Sequence, residues 1–210
     1  MLTLPTCEEM LTLSTREPDQ SKPFHHGDLR QALIEATVEL IERDGPAAVS
    51  LREAARIAGV SHNAPYRHFP TREALLAAVA AHGFRQLRTT FEEASAATLG
   101  NRMVALGQQY MRFASAHPGL FRLMFGSGLD RKSHPDLEQA AQEAFGVLER
   151  ATVDRGSSSP RDAAIGAWAL VHGLSCLIVD NQLAQDLQDD AASGRLLERI
   201  AAIYGLSMPR

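Results

Sequence analysis

The run Gly59-Val60-Ser61-His62-Asn63-Ala64-Pro65-Tyr66-Arg67-His68-Phe69-Pro70-Thr71-Arg72-Glu73-Ala74-Leu75, preceded by Ser50-Leu51-Arg52-Glu53-Ala54-Ala55, decides the fold. Ser50 and Glu53 have the spacing of a capping box that opens a short helix through Ala54, Ala55 and Ile57. Gly59 supplies the backbone freedom of a tight turn, and Val60 is placed to enter the core between two helices. Ser61 caps a second short helix, which runs to about Phe69 before Pro70 stops it. Thr71 caps a longer one, with Glu73 at its positive end and Leu76, Val79, Ala80, Gly83 and Leu87 along one face. Two short helices about a glycine turn make a helix-turn-helix pattern. One residue disturbs it: Pro65, at the fourth position of the second helix, has no amide to donate, so distortion is expected there.

The helical reading extends outward in both directions. Asp28, with Gln31 three residues on, predicts a capped helix to about Asp44, in which Leu29, Leu33, Ala36 and Leu40 form one apolar stripe and Ile34, Val38 and Ile41 another. Gly45-Pro46 ends it. Further helices are expected over 100–116, 119–126, 134–154, 160–188 and 193–206. They are separated by His117-Pro118-Gly119, Gly126-Ser127-Gly128 and Gly156-Ser157-Ser158-Ser159-Pro160. Aromatics at 6%, with many Ala and Leu, agree with an all-α class. The expected organisation is a mobile arm over 1–23, a helix-turn-helix domain over 24–85, and a larger helical domain over 86–210, joined through the long helix after Thr71.

Composition excludes several classes. A chain of 210 residues, 45% hydrophobic and 22% charged, has too much apolar content for disorder and no repeat for a fibre. Cys7 and Cys176 cannot build a disulfide framework and sit in no zinc-like cluster, which points to a reducing cytoplasm. No charge-free stretch of about 18 apolar residues occurs, so neither a bilayer span nor a membrane partner is expected. The first twenty residues lack the basic region of a secretion signal and carry Glu8, Glu9, Glu17 and Asp19 instead; they read as an arm, or as sequence ahead of a start at Met10.

The net charge of −4 is unevenly spread. Residues 22–88 hold nine Lys and Arg against seven Asp and Glu. Between Ser50 and Arg72, Arg52, Arg56, Arg67 and Arg72 face only Glu53, with His62 and His68 besides. Such a basic patch suits a polyanion, because neutralised phosphates release counterions. It equally suits a solvated surface in a chain whose only lysines are Lys22 and Lys132.

The Tyr66-Arg67-His68-Phe69 core and its flanks resemble the DNA-binding domain of the TetR family of bacterial transcription regulators, over roughly residues 28–75. A recognition helix presents its first turn to base edges and its flanks to phosphates. His62 and Asn63 occupy that turn; Asn suits adenine, His a purine edge, and the Ala64 methyl a thymine methyl. Arg52 could reach a guanine or a phosphate. By the resemblance Tyr66, His68 and Arg72 are phosphate contacts, and Ser50, Ser61 and Arg67 complete the DNA-binding set. Arg56 and Arg67 fit a solvated face as well, Tyr66 could be a core aromatic with a surface hydroxyl, and Phe69 reads as core.

Helix-turn-helix proteins commonly read palindromes as two-fold dimers. Ala163, Gly166, Leu170, Gly173 and Leu177 line a small-residue face, which Leu196, Ile200 and Ile203 would complete; intramolecular packing is the alternative. On the opposite face Ile165, Trp168, His172, Cys176 and Val179 point inward. With Tyr110, Met111, Phe113, Phe121, Met124, Phe125 and Phe145 they could wall an apolar ligand cavity, although Met and Phe stripes also serve as plain core and His172 as a satisfied core histidine. The Trp168, His172, Gly173 spacing and His117-Pro118-Gly119-Leu120-Phe121 resemble a WHG-type C-terminal subclass of the family.

The resemblance implies a repressor that binds a palindromic operator in double-stranded DNA as a homodimer and is released by a small-molecule effector. A ligand-responsive activator on the same scaffold is the alternative. No G-x-S-x-G, Walker A, H-E-x-x-H or G-x-G-x-x-G motif occurs, so no enzyme, cofactor or metal is expected. A sequence-indifferent chromatin binder would be more basic.

Overall fold

The computed structural model describes residues 26–97, 101–126, 128–154 and 156–203, and all regular structure among them is helical. The nine α-helices are α1 (His26–Asp44), α2 (Leu51–Ile57), α3 (Arg72–Ala97), α4 (Arg102–Ala116), α5 (Pro118–Phe125), α6 (Pro135–Asp154), α7 (Pro160–Val179), α8 (Gln185–Ala192) and α9 (Arg195–Ile203), with short 3-10 turns at Pro46–Ala48, Ala64–Arg67 and Arg131–Ser133. The expected arm over 1–23 lies outside the described residues.

α1 begins two residues before the expected cap at Asp28, and Gln31 donates forward to Glu35 (2.9 Å) instead of closing a capping box. Its two stripes pack as the periodicity predicts: Leu33, Ile34, Leu40 and Ile41 are fully buried, each such side chain contributing roughly 1.5–3 kcal/mol. Thr37, enclosed among them, bonds its hydroxyl to the Leu33 carbonyl (2.7 Å), so no polar group is stranded. The Thr71 hydroxyl caps α3 by accepting from the Ala74 amide (3.0 Å).

α3 packs on α1, α4, α5 and α6 and is buried continuously from Leu75 to Ala81. The pairs Arg85–Asp136 and Arg88–Glu143 set α6 parallel to α3, while Arg102–Asp154 brings the start of α4 to the end of α6. The Thr152 hydroxyl bonds the Pro160 carbonyl (2.8 Å), turning α7 back along α6. The result is a four-helix body of α3, α4, α6 and α7.

The single helix expected over 160–188 is in fact two. α7 ends in a Schellman motif: Asn181 sits in the left-handed region (φ 52°), its amide bonds the Ile178 carbonyl (3.0 Å), and the Gln182 amide bonds that of Leu177 (2.8 Å). Asp180-Asn181 carried that signal, since Asn tolerates the left-handed conformation. By length and composition α7 is apolar enough to cross a membrane, and 17% of its most apolar stretch is buried. One side nevertheless packs on α4 and α6.

α1 and α2, with the start of α3, form a head that is joined to the body at a second place besides α3. Both carboxylate oxygens of Glu42, on α1, accept backbone amides at the start of α5: Gly119 (2.9 Å) and Leu120 (2.9 Å). A carboxylate there satisfies two otherwise orphaned donors at the positive end of the helix. The approach requires glycine, because a Cβ at Gly119 would stand 2.7 Å from the Ile41 carbonyl oxygen. Gly119→Ala is therefore expected to destabilise the protein by about 1–3 kcal/mol, read as a lower urea midpoint at unchanged slope.

Candidate nucleic-acid interface and cavity

The head is built around one turn. α2 opens on Ser50, whose hydroxyl accepts the Glu53 amide (3.1 Å), and the Glu53 carboxylate turns to Arg56 (2.6 Å). α2 closes on a second Schellman motif: Gly59 adopts φ 68°, its amide bonds the Arg56 carbonyl (3.2 Å), and the Val60 amide bonds that of Ala55 (3.0 Å). Val60 thereby packs against the core.

The expected second helix from Ser61 to Phe69 is replaced by the 3-10 turn Ala64–Arg67. Pro65 is the cause: without an amide it cannot bond the Ser61 carbonyl, which the Ala64 amide takes (3.0 Å), and the segment tightens into i→i−3 bonding. Pro65 is fully buried and Phe69 is 2% exposed beneath the Arg30 guanidinium (5.4 Å to the ring centroid). These two residues peg the turn to the head and leave its neighbours outward.

Ser50, Arg52, Ser61, His62, Asn63, Tyr66 and Arg67 are exposed, Ala64 and His68 half-buried. Tyr66 is 50% exposed, so it is not a core aromatic. Among the described residues, the side chains of Arg52, Ser61, His62, Asn63, Tyr66 and Arg67 make no hydrogen bond or ion pair. Arg56 is spent on Glu53. Arg72 is also engaged, its Nε donating to the Val49 carbonyl (2.8 Å) and its Nη2 to that of Pro46. The guanidinium thus ties the start of α3 to the loop that delivers Ser50.

In the body, α3, α4, α6 and α7 enclose a cavity of about 540 Å³, within the range of small-molecule sites. Of the expected wall, Tyr110, Phe125 and Trp168 line it, as do Phe145 and Ile165. Phe113, Phe121, Met124, His172 and Cys176 do not. Phe113 packs on His117 (5.3 Å), Met124 is buried against Gly83, and Phe121 and His172 stand behind Tyr110 (5.8 and 6.2 Å). The sequence reading missed the contribution of α3, whose Phe84, Leu87 and Phe91 recur at i, i+3 and i+7, and the cations Arg131 and Arg161.

A polar chain closes this wall. Trp168 Nε1 donates to Tyr110 Oη (3.2 Å), Tyr110 Oη lies 2.8 Å from His172 Nδ1, and His172 Nε2 lies 3.6 Å from Cys176 Sγ. Burial lowers the His172 pKa, so a neutral ring is favoured. Burial also pushes the Tyr110 hydroxyl and the Cys176 thiol up. With the tyrosine donating to Nδ1 and Nε2–H directed at the sulfur, the indole, hydroxyl and imidazole donors are all used.

The expected dimer residues divide. Gly166, Gly173 and Leu177 on α7 are exposed, as is Ile203 (77%) on α9. Leu170 is half-buried and lines the cavity, and Ile200 is half-buried. Leu196 is turned into the core at 8% exposure, because it shares the inner stripe of α9 with Leu197 and Ala201. Among the described residues, no group of three or more His, Cys, Asp or Glu is placed to hold a metal ion.

A small helical head presenting unspent polar side chains, on an all-helical body with a cavity, is the architecture of a helix-turn-helix DNA-binding regulator. The model for bacterial regulatory proteins of the tetR family matches residues 33–79, and that for the tetracyclin repressor-like C-terminal domain matches 103–202. The chain belongs to the TetR family. A Rhodococcus sp. RHA1 protein of unknown function is 30% identical, with 90% of this chain and 100% of that one covered at a TM-score of 0.74. An HTH-type transcriptional repressor of Mycobacterium tuberculosis is 35% identical over 75 residues, 35% of this chain and 40% of its own. The nucleoid occlusion factor SlmA of Marinobacter nauticus is 28% identical over 124 residues, 57% of this chain and 62% of its own. The chain thus spans less than two thirds of the curated relatives it matches.

The engagement of Arg72 separates it from the free arginines. Arg72→Met is expected to lower stability by about 1.5–3 kcal/mol, through lost charge-assisted hydrogen bonds, in urea titration without any DNA. Arg52→Met and Arg67→Met should leave the urea midpoint unchanged.

Proposed function

We propose that this regulator binds a palindromic operator as a homodimer and represses transcription until a small molecule enters the cavity. The observation that carries the reading is the set of exposed, unpartnered side chains of Arg52, Ser61, His62, Asn63, Tyr66 and Arg67, gathered about a turn pegged by Pro65 and Phe69. Polar groups with unspent hydrogen-bonding capacity on a rigid base suit base edges and phosphates, because few internal bonds must break on docking. Activation from the same operator remains the second reading, since the sign of regulation depends on where that operator lies relative to a promoter.

The division of labour we assign follows the chain: residues 24–85 read DNA and 86–210 bind effector and partner copy, in the compartment that holds the chromosome. Pairing is supported by α7, whose Gly166, Gly173 and Leu177 leave an apolar face open in a single chain, with Ile203 of α9 exposed besides. A second copy laid against that face would remove it from water. Coupling is supported by the two ties between head and body, α3 itself and the Glu42 carboxylate on α5. A ligand acts through them only if it binds the DNA-free arrangement more tightly.

The test begins with operator fragments selected from genomic DNA and their affinities by fluorescence anisotropy. Asn63→Ala should cost about 1–3 kcal/mol on the selected site and relax preference at one base step, whereas Tyr66→Phe should weaken selected and scrambled DNA alike. Equal loss on both duplexes for Asn63→Ala would overturn sequence-specific reading. Leu177→Glu should give a monomer by sedimentation velocity and lose the selected operator; a dimer persisting in that variant would remove α7 from the interface.

A further inference from the structure

The cavity is long and has a cation towards each end. Its lining on α6 runs from Ala141 to Thr152, which at about 1.5 Å per residue is roughly 16 Å of helix. Phe84, Leu87, Phe91, Val104, Leu106, Leu148 and Val171 make most of the remaining wall apolar. Arg131 belongs to the end marked by Phe84 and Phe125, whose rings meet edge to face at 5.2 Å. Arg161 belongs to the other end, with Thr152 and Ser157.

The two arginines differ. The Arg161 side chain is 81% exposed and its carboxylate neighbour Glu149 is 3.9 Å away, as in an ordinary solvated pair. Arg131 lies over the Phe84 ring, 5.6 Å from its centroid, with Nη2 3.2 Å from Glu138. Its Nε is buried and has no partner. Glu138 is already shared with the Gln142 amide (2.8 Å), so its capacity is divided. A buried donor without an acceptor is costly, and an incoming carboxylate oxygen would remove that cost while an apolar chain covered the walls.

Resting on the effector reading above, we propose that the cavity takes a linear amphipathic carboxylate, its head on Arg131 and its chain extended along α6 towards Arg161. A purely apolar or a cationic effector would leave the Arg131 Nε stranded.

Decanoate and 1-decanol are the probes, and the fluorescence of Trp168, the protein's single tryptophan, gives a readout that needs no DNA. Decanoate should bind the wild-type protein about tenfold or more tightly than decanol, the ratio a charge-assisted hydrogen bond supports. Arg131→Met should abolish that preference while leaving decanol affinity unchanged, which also shows that the cavity is intact. Arg161→Met should retain the preference. Equal binding of the two probes to wild type, a preference that survives Arg131→Met, or no binding of either probe would overturn the assignment. If decanoate binds as described but leaves operator affinity untouched, the effector reading fails and the assignment stands.

Discussion

The structure depends on one helix being able to pack against both ends of a single continuous core at once. α3 does so because its buried stretch is built largely of side chains with almost no reach: Ala77, Ala78, Ala80, Ala81 and Gly83. At Gly83 the approach is closest, since a Cβ there would stand 2.5 Å from the Met124 sulfur. Larger residues would hold α1 on one side and α5 and α6 on the other further apart, and the head would lose its seat on the body. Glu42 then fixes the remaining freedom by gripping the first amides of α5. Head and body are bound covalently through α3 and electrostatically through Glu42, so α5 and α1 touch directly, without the long helix between them.

Much of this was legible in the residues, for physical reasons. The periodicity of α1, the caps at Ser50 and Thr71 and the glycine turn at Gly59 are local signals, each carried within a few positions, and the structure keeps them. The split of α7 from α8 was also locally encoded, in Asp180-Asn181, where the apolar run ending at Val179 gives way to polar residues. What was not legible is long-range. Nothing near Glu42 in sequence points to Gly119, and nothing near Arg72 points to the carbonyls of Pro46 and Val49. The cavity wall was half-read for the same reason: the aromatic residues of α4, α5 and α7 could be named, but which of them face the space and which back onto Tyr110 is settled by helix rotation.

Pro65 shows a local rule and a tertiary constraint acting together. The missing amide breaks the α-helical ladder, yet the residue is wholly enclosed, so the same ring that disrupts the helix anchors what remains. The exposed row about it is held by that anchor, by Phe69 and by the bonds of the turn itself, in which the His68 and Phe69 amides both donate to the Pro65 carbonyl (2.9 Å each). Its polar groups are therefore set by packing beneath them, and individual side chains can change without unravelling the turn.

The nakedness of α7 has a thermodynamic consequence. A helix so greasy and so poorly covered leaves a lone chain with water against surface that would be lower in free energy elsewhere. Were a second copy to cover that surface in the native state alone, it would shift the unfolding equilibrium by mass action, and melting would depend on how much protein is in the tube. Dilution would then itself be a stress, because it uncovers the surface that association hides.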